Sequence, residues 1–164
     1  MELEIQPEFK ELLELFTRQE VEFFIVGGYA LAFHGHPRMT GDIDILVGTE
    51  PENSRKVLAA LKEFGFGSLG LKESDFSKRE EIIQLGYSPK RIDLLTSVSG
   101  VSWEQIKKNA IHCNLDGMLI DVISLDDFIK NKQVVGRPQD VADIAAVNSF
   151  KKEEDCSKDM GMGF

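Results

Sequence analysis

The stretch that decides the fold runs Phe23-Phe24-Ile25-Val26-Gly27-Gly28-Tyr29-Ala30-Leu31-Ala32-Phe33 and resumes, thirteen residues after the glycine pair, as Asp42-Ile43-Asp44-Ile45-Leu46-Val47-Gly48. Phe23 to Val26 reads as a short apolar strand. The glycine pair turns it, and Tyr29 to Phe33 reads as a brief helix before His34-Gly35-His36-Pro37 breaks the pattern. In the second piece Ile43, Ile45 and Val47 alternate with Asp42, Asp44 and Leu46, which predicts a strand with one aliphatic face and one face bearing carboxylates. Side chains two apart on a strand point the same way and lie roughly 7 Å apart, so Asp42 and Asp44 offer hard oxygen ligands to one space.

Working outward, Pro7 precedes Phe9, Leu12, Leu13 and Phe16, whose spacing predicts an amphipathic helix ending near Glu20. Pro51 opens a helix through Val57, Leu58, Leu61 and Phe64. Gly65, Gly67 and Gly70 break it, and a polar segment follows. Residues 82–87 and 91–97 read as an antiparallel hairpin about Ser88-Pro89-Lys90, with Asp93 inside its second strand. Val101 to Ala110, carrying Trp103, reads as a helix; Ile111 to Leu115 and Met118 to Ile123 read as a hairpin about the Asp116-Gly117 turn signal. Ser124 with Asp127 resembles a capping box that starts a helix carrying Phe128, Ile129 and Lys132, with Asp126 and Asp127 as capping acids. Pro138 starts another, with Val141, Ile144 and Ala145 inward.

A chain of 164 residues is long enough to bury one core, so residues 1–150 read as a single domain and the charged, then Met/Gly-rich, residues 151–164 as a disordered tail. Hydrophobic residues at 42% and charged residues at 29% set it apart from disordered and membrane chains. A net charge of -9 argues against broad capture of duplex DNA, which needs Lys and Arg over many phosphates. Two cysteines, Cys113 and Cys156, make neither a disulfide framework nor a Cys-rich zinc site. With no leader and no apolar run near the roughly 20 residues of a membrane span, the expected setting is cytoplasmic.

If Asp93 lies on a strand next to Asp42 and Asp44, three carboxylates converge, each close pair repelling by roughly 4 kcal/mol at 4 Å and an effective dielectric near 20. A bound cation relieves that repulsion. Mg²⁺ takes a few carboxylates and completes its shell with water and substrate phosphates, so one or two Mg²⁺ ions fit the pattern. Gly27 and Gly28, lacking Cβ atoms, let a phosphate approach backbone amides at the start of the next helix. Lys132 and Arg137 are candidates to steady triphosphate charge or to complement helix ends, and Arg38 and Thr40 to contact phosphate or shape the loop before the acids. Asp140 and Asp143 read as partners of Arg137 or as helix caps. His34 and His36 read as loop or substrate contacts.

Val26-Gly27-Gly28, Asp42-Ile43-Asp44 and Asp93 within Arg91-Ile92-Asp93-Leu94-Leu95 resemble the nucleotidyltransferase superfamily that includes DNA polymerase beta. Arg38, Thr40, Lys132 and Arg137-Pro138 with Asp140 and Asp143 extend the likeness to minimal nucleotidyltransferases and the AbiEii-like abortive-infection toxins, over roughly residues 23–147. The resemblance implies an α+β fold, a mixed, mostly antiparallel sheet with flanking helices. It also implies Mg²⁺, with transfer of a nucleoside monophosphate from an NTP to a hydroxyl of a protein, an RNA end or a small molecule and release of pyrophosphate. Asp42, Asp44 and Asp93 would bind metal and act in catalysis; Gly27, Gly28, Arg38, Thr40, Lys132 and Arg137 would hold the nucleotide. Many members carry Ser where this chain has Gly28, so phosphate contact there falls to backbone amides.

No second domain follows for an acceptor, which points to a protein partner or homodimer completing that side. Two other readings compete. One is a non-catalytic binding module or toxin-antitoxin component that keeps the fold; the other is a metal-dependent phosphohydrolase.

Overall fold

The computed structural model describes residues 5–35, 41–87, 89–138, 140–142 and 144–145. Arg38, Thr40, His36, Asp143, Cys156 and the 151–164 tail therefore lie outside the described residues.

Helix α1 (Pro7–Arg18) buries Phe9, Leu12, Leu13 and Phe16 completely, as their spacing predicts, and Leu15 with them. Pro7 suits the first turn, where its missing N–H has no intrahelical partner to lose. Strand β1 (Phe23–Val26) runs directly into α2 (Gly27–Phe33): no separate turn intervenes, because Gly27 itself takes φ +68° and starts the helix. Strand β2 (Ile43–Val47) and helix α3 (Pro51–Leu61) follow, then a widened turn over Lys62–Phe66 broken at Gly65, whose φ is 115°. Strands β3 (Ile82–Leu85) and β4 (Ile92–Leu95), α4 (Trp103–Asn109), β5 (Ile111–Leu115), β6 (Met118–Val122) and α5 (Leu125–Val135) complete the order. The β5–β6 turn places Asp116 at φ 51° and Gly117 at φ 86°, the left-handed pair that a tight hairpin requires.

The strands form one mixed sheet in the order β3-β4-β2-β1-β6-β5. Antiparallel pairs are β1–β2, β3–β4 and β5–β6; parallel pairs are β1–β6 and β2–β4. The α+β, mostly antiparallel fold expected from the sequence is therefore the one present. Neighbouring residues of β1 reveal how the sheet is covered. Phe23 meets Phe16 of α1 and Phe24 meets Trp103 of α4, each edge to face at 5.5 and 4.9 Å between ring centroids. Since successive strand side chains point to opposite faces, α1 covers one face and α4 the other.

Leu46 shares the face of Asp44 yet is only 1% exposed, so that face is polar only at one end. Asn53, itself buried, ties the opposite end of the sheet together: its amide donates to the carbonyls of Glu22 and Gly48, and its oxygen accepts from the Glu22 N–H. Asp127 is wholly buried. Ser124 Oγ caps its backbone N–H, but its carboxylate accepts from Gln105 and Asn109 and so fastens α5 to α4.

Two expectations are corrected. The polar segment after α3 contains a 3-10 turn, Glu73–Phe76, that seats Phe76 at 0% exposure and lies against α3, where Ser77 Oγ donates to Ser54 Oγ at 3.1 Å. After Gly136 ends α5, Val141 is 58% exposed and Ala145 is exposed, while Asp140 is fully buried. The helix-like stretch turns an acid inward because two cations wait for it there. Phe76→Ala should destabilise the protein by about 3–5 kcal/mol in urea unfolding, as emptying a fully buried aromatic site does. A loss below about 1 kcal/mol would mean that the turn does not hold the ring in the core.

Candidate active site

Three local devices bring the acids together. The first is register: parallel β2 and β4 pair Asp44 with Asp93, so the two carboxylates lie side by side on one face. The second is a strap. Gln6 Nε2, just before α1, donates to the carbonyls of Gly41 (3.4 Å) and Pro89 (3.3 Å), holding together the starts of β2 and β4. Gly41 must be glycine there, since a Cβ would come within 2.7 Å of Pro89.

The third device is Gly27. A Cβ on it would overlap the Asp44 carboxylate, and its φ of +68° lies in the left-handed region that favours glycine. Gly27 thus makes room for a catalytic candidate, a structural need distinct from any contact with phosphate. Helix α2, with seven residues, adds little macrodipole.

Gly27, Gly28, Asp42, Asp44, Asp93, Lys132 and Arg137 all line one cleft of about 550 Å³, together with Gln84, Arg91 and Asn131. The described residues expected to bind metal or nucleotide are therefore in the same place. Arg38 and Thr40 fall outside them. His34 belongs elsewhere: its Nε2 donates to the Ile123 carbonyl at 2.7 Å, pinning the end of α2 beyond β6.

The Asp44 pKa is pushed up to about 7, first by burial, then by a hydrogen bond with Asp93 and by that group's charge; Lys132 and Arg91 pull the other way. Without a cation, Asp44 eases the repulsion by retaining its proton to higher pH. Asp42 faces Arg91, whose backbone N–H donates to Oδ1 at 3.1 Å and whose Nη2 lies 3.4 Å from Oδ2. The same guanidinium grips Asp93 with both forks, Nε to Oδ1 at 2.8 Å and Nη2 to Oδ2 at 3.1 Å, which raises the Arg91 pKa. Among the described residues no three Asp, Glu, His or Cys side chains gather closely enough to hold one ion in this arrangement. The pair Asp44 and Asp93 does fit a hard cation that takes one or two carboxylates and fills its shell with water and phosphate.

Lys132 enters from α5 with its side chain 12% exposed, its ammonium 3.1 Å from Asp140 Oδ1 and 5.4 Å from the centre of the Phe128 ring. Asp140 also accepts from Arg137, through Nε at 2.8 Å and the backbone N–H at 3.1 Å. The Arg137 bond, aided by Lys132, holds the Asp140 carboxyl down at about 2. Asp140 is thus both the cap and the Arg137 partner expected of it, and in addition the anchor of Lys132. Sequence reading gave Arg91 no role, although a cation two residues before Asp93 on one strand shares its face. Gln84, paired with Asp93 across β3–β4, was equally overlooked.

The raised Asp44 pKa carries a sign. An acid that binds its proton more tightly folded than unfolded stabilises less as pH rises from the unfolded value near 3.8 to about 7, and the loss is complete above that. In metal-free protein, Asp44→Asn should raise the melting temperature at pH 8 and change it little at pH 4. Equal shifts at both pH values would refute the raised Asp44 pKa.

A family profile described as a nucleotidyltransferase of unknown function matches residues 4–154. No curated protein matches the chain. A solved structure from Thermotoga maritima, provisionally assigned as a nucleotidyltransferase, superposes with a TM-score of 0.55 at 19% identity, covering 92% of this chain and 96% of that one. At that identity the likeness speaks for the fold, and the acids at the β2–β4 junction lie within the span that the family profile matches. The chain belongs to the DUF6036 family of nucleotidyltransferases of unknown function.

Proposed function

We propose that the chain transfers a nucleoside monophosphate from an NTP to a hydroxyl acceptor in a Mg²⁺-dependent reaction. The observation that carries this reading is the register of Asp44 beside Asp93 in a cleft that also contains the glycine turn and Lys132. Asp44 and Asp93, joined by Asp42, would hold one or two Mg²⁺ ions. Bound there, the metal would supply positive charge to the triphosphate and lower the pKa of the acceptor hydroxyl.

The residues divide the remaining work. Backbone amides at Gly27 and Gly28 take phosphate oxygens, and Lys132, held by Asp140, meets the charge that grows on the leaving pyrophosphate. The acceptor oxygen attacks the α-phosphorus, and the bond from that phosphorus to the oxygen bridging to the β-phosphate breaks. Pyrophosphate leaves with that electron pair, and the hydroxyl proton passes to Asp93. The acceptor is a protein, an RNA end or a small molecule, with a partner or a second copy completing its side.

Incubation with each labelled NTP, Mg²⁺ and panels of proteins, RNAs and small alcohols should release pyrophosphate and label one acceptor class. Asp44→Asn and Asp93→Asn should each lower the rate by at least about 100-fold, since each removes a metal ligand or the proton acceptor. Orthophosphate as the released product would favour the phosphohydrolase reading. Undiminished function in cells with both substitutions would favour a binding module.

A further inference from the structure

Arg91 engages two of the three candidate metal ligands in the cleft at once. Both Asp93 oxygens accept from its guanidinium, at 2.8 and 3.1 Å, and the Asp42 Oδ2 lies 3.4 Å from the same Nη2. A divalent cation ligated by Asp93 and Asp42 would lie beside the guanidinium and repel it. The Arg91 side chain is 32% exposed and borders the open cleft, so it has a route by which to withdraw.

Two roles are compatible with this contact, and they differ in sign. A positioning arginine would hold Asp93 in its ligating pose, and its loss would weaken metal binding. A competing arginine would stand in for the metal, and its loss would strengthen binding. The bridge favours the second: one guanidinium touches carboxylate oxygens of both Asp93 and Asp42, so an ion held by that pair would sit beside a like charge, and removing the charge would relieve the repulsion.

We infer that Arg91 is a built-in counter-cation that closes the metal site at rest by bridging Asp42 and Asp93, and that divalent cations bind by displacing its side chain. The proposal rests on the nucleotidyl-transfer reading of the same cleft and adds a resting state to it. Low cation availability keeps Arg91 seated, so metal binding and side-chain release are one event. The carboxylates are then never left unneutralised.

The test is a Mn²⁺ titration of metal-free protein at pH 8.5, with free Mn²⁺ read by electron paramagnetic resonance and no nucleotide present. Arg91→Met removes the charge and the donors; Arg91→Gln keeps a donor to Asp93 without the charge and serves if the Met variant folds poorly. Either variant should bind Mn²⁺ about tenfold more tightly than the parent protein, a change of about 1.4 kcal/mol. Each should also melt at a lower temperature without metal and gain more from added Mn²⁺ than the parent does. Equal or weaker binding in the variants, with clear binding in the parent, overturns the counter-cation role and leaves the metal site intact. No binding by any of the proteins overturns both the counter-cation role and the metal-dependent reading on which it rests.

Discussion

The parallel pairing of β2 with β4, which sets Asp44 beside Asp93, is the constraint on which the remainder of the site depends. Two carboxylates side by side and partly desolvated are costly unless something offsets the charge, and the surroundings answer in three ways. Asp44 retains a proton to higher pH. Arg91 bridges Asp93 and Asp42. Lys132 adds a more distant positive field, tethered by an acid that is itself buried. Gly27 and the Gln6 strap serve the same register from below, one by yielding space to the Asp44 carboxylate and the other by tying the starts of the two strands.

The central part of this arrangement was legible in the sequence because it is local. The period-two alternation from Asp42 to Val47, the glycine pair and the Asp116-Gly117 turn each report backbone geometry within a few residues. Asp93 was legible as an acid inside a strand, although its pairing with Asp44 depends on two strands separated by helix α3, a run of turns and strand β3. The seating of Phe76 and the inward turn of Asp140 were not legible. Phe76 lies alone in a polar segment without periodicity, and Asp140 is buried because Lys132 and Arg137 compensate its charge, a condition that hydrophobic patterning cannot express. Arg91 escaped notice for a related reason: its role depends on carboxylates on two strands.

The glycine turn also changes meaning. In the sequence it reads as a place for phosphate, and both glycines do line the cleft. In the fold, Gly27 is first required by the volume of the Asp44 carboxylate, so its identity reports on the acids as much as on a substrate. In the proposed reaction the amides of this turn and Lys132 would meet the phosphates from different elements.

The most direct measurement of the central claim is a crystal soaked with Mg²⁺ and a non-hydrolysable NTP. The account predicts metal density between Asp44 and Asp93, phosphate oxygens against the Gly28 amide and near Lys132, and the Arg91 guanidinium withdrawn from Asp93. Nucleotide bound away from these acids, or metal coordinated elsewhere with the Asp44–Asp93 pair untouched, would contradict it.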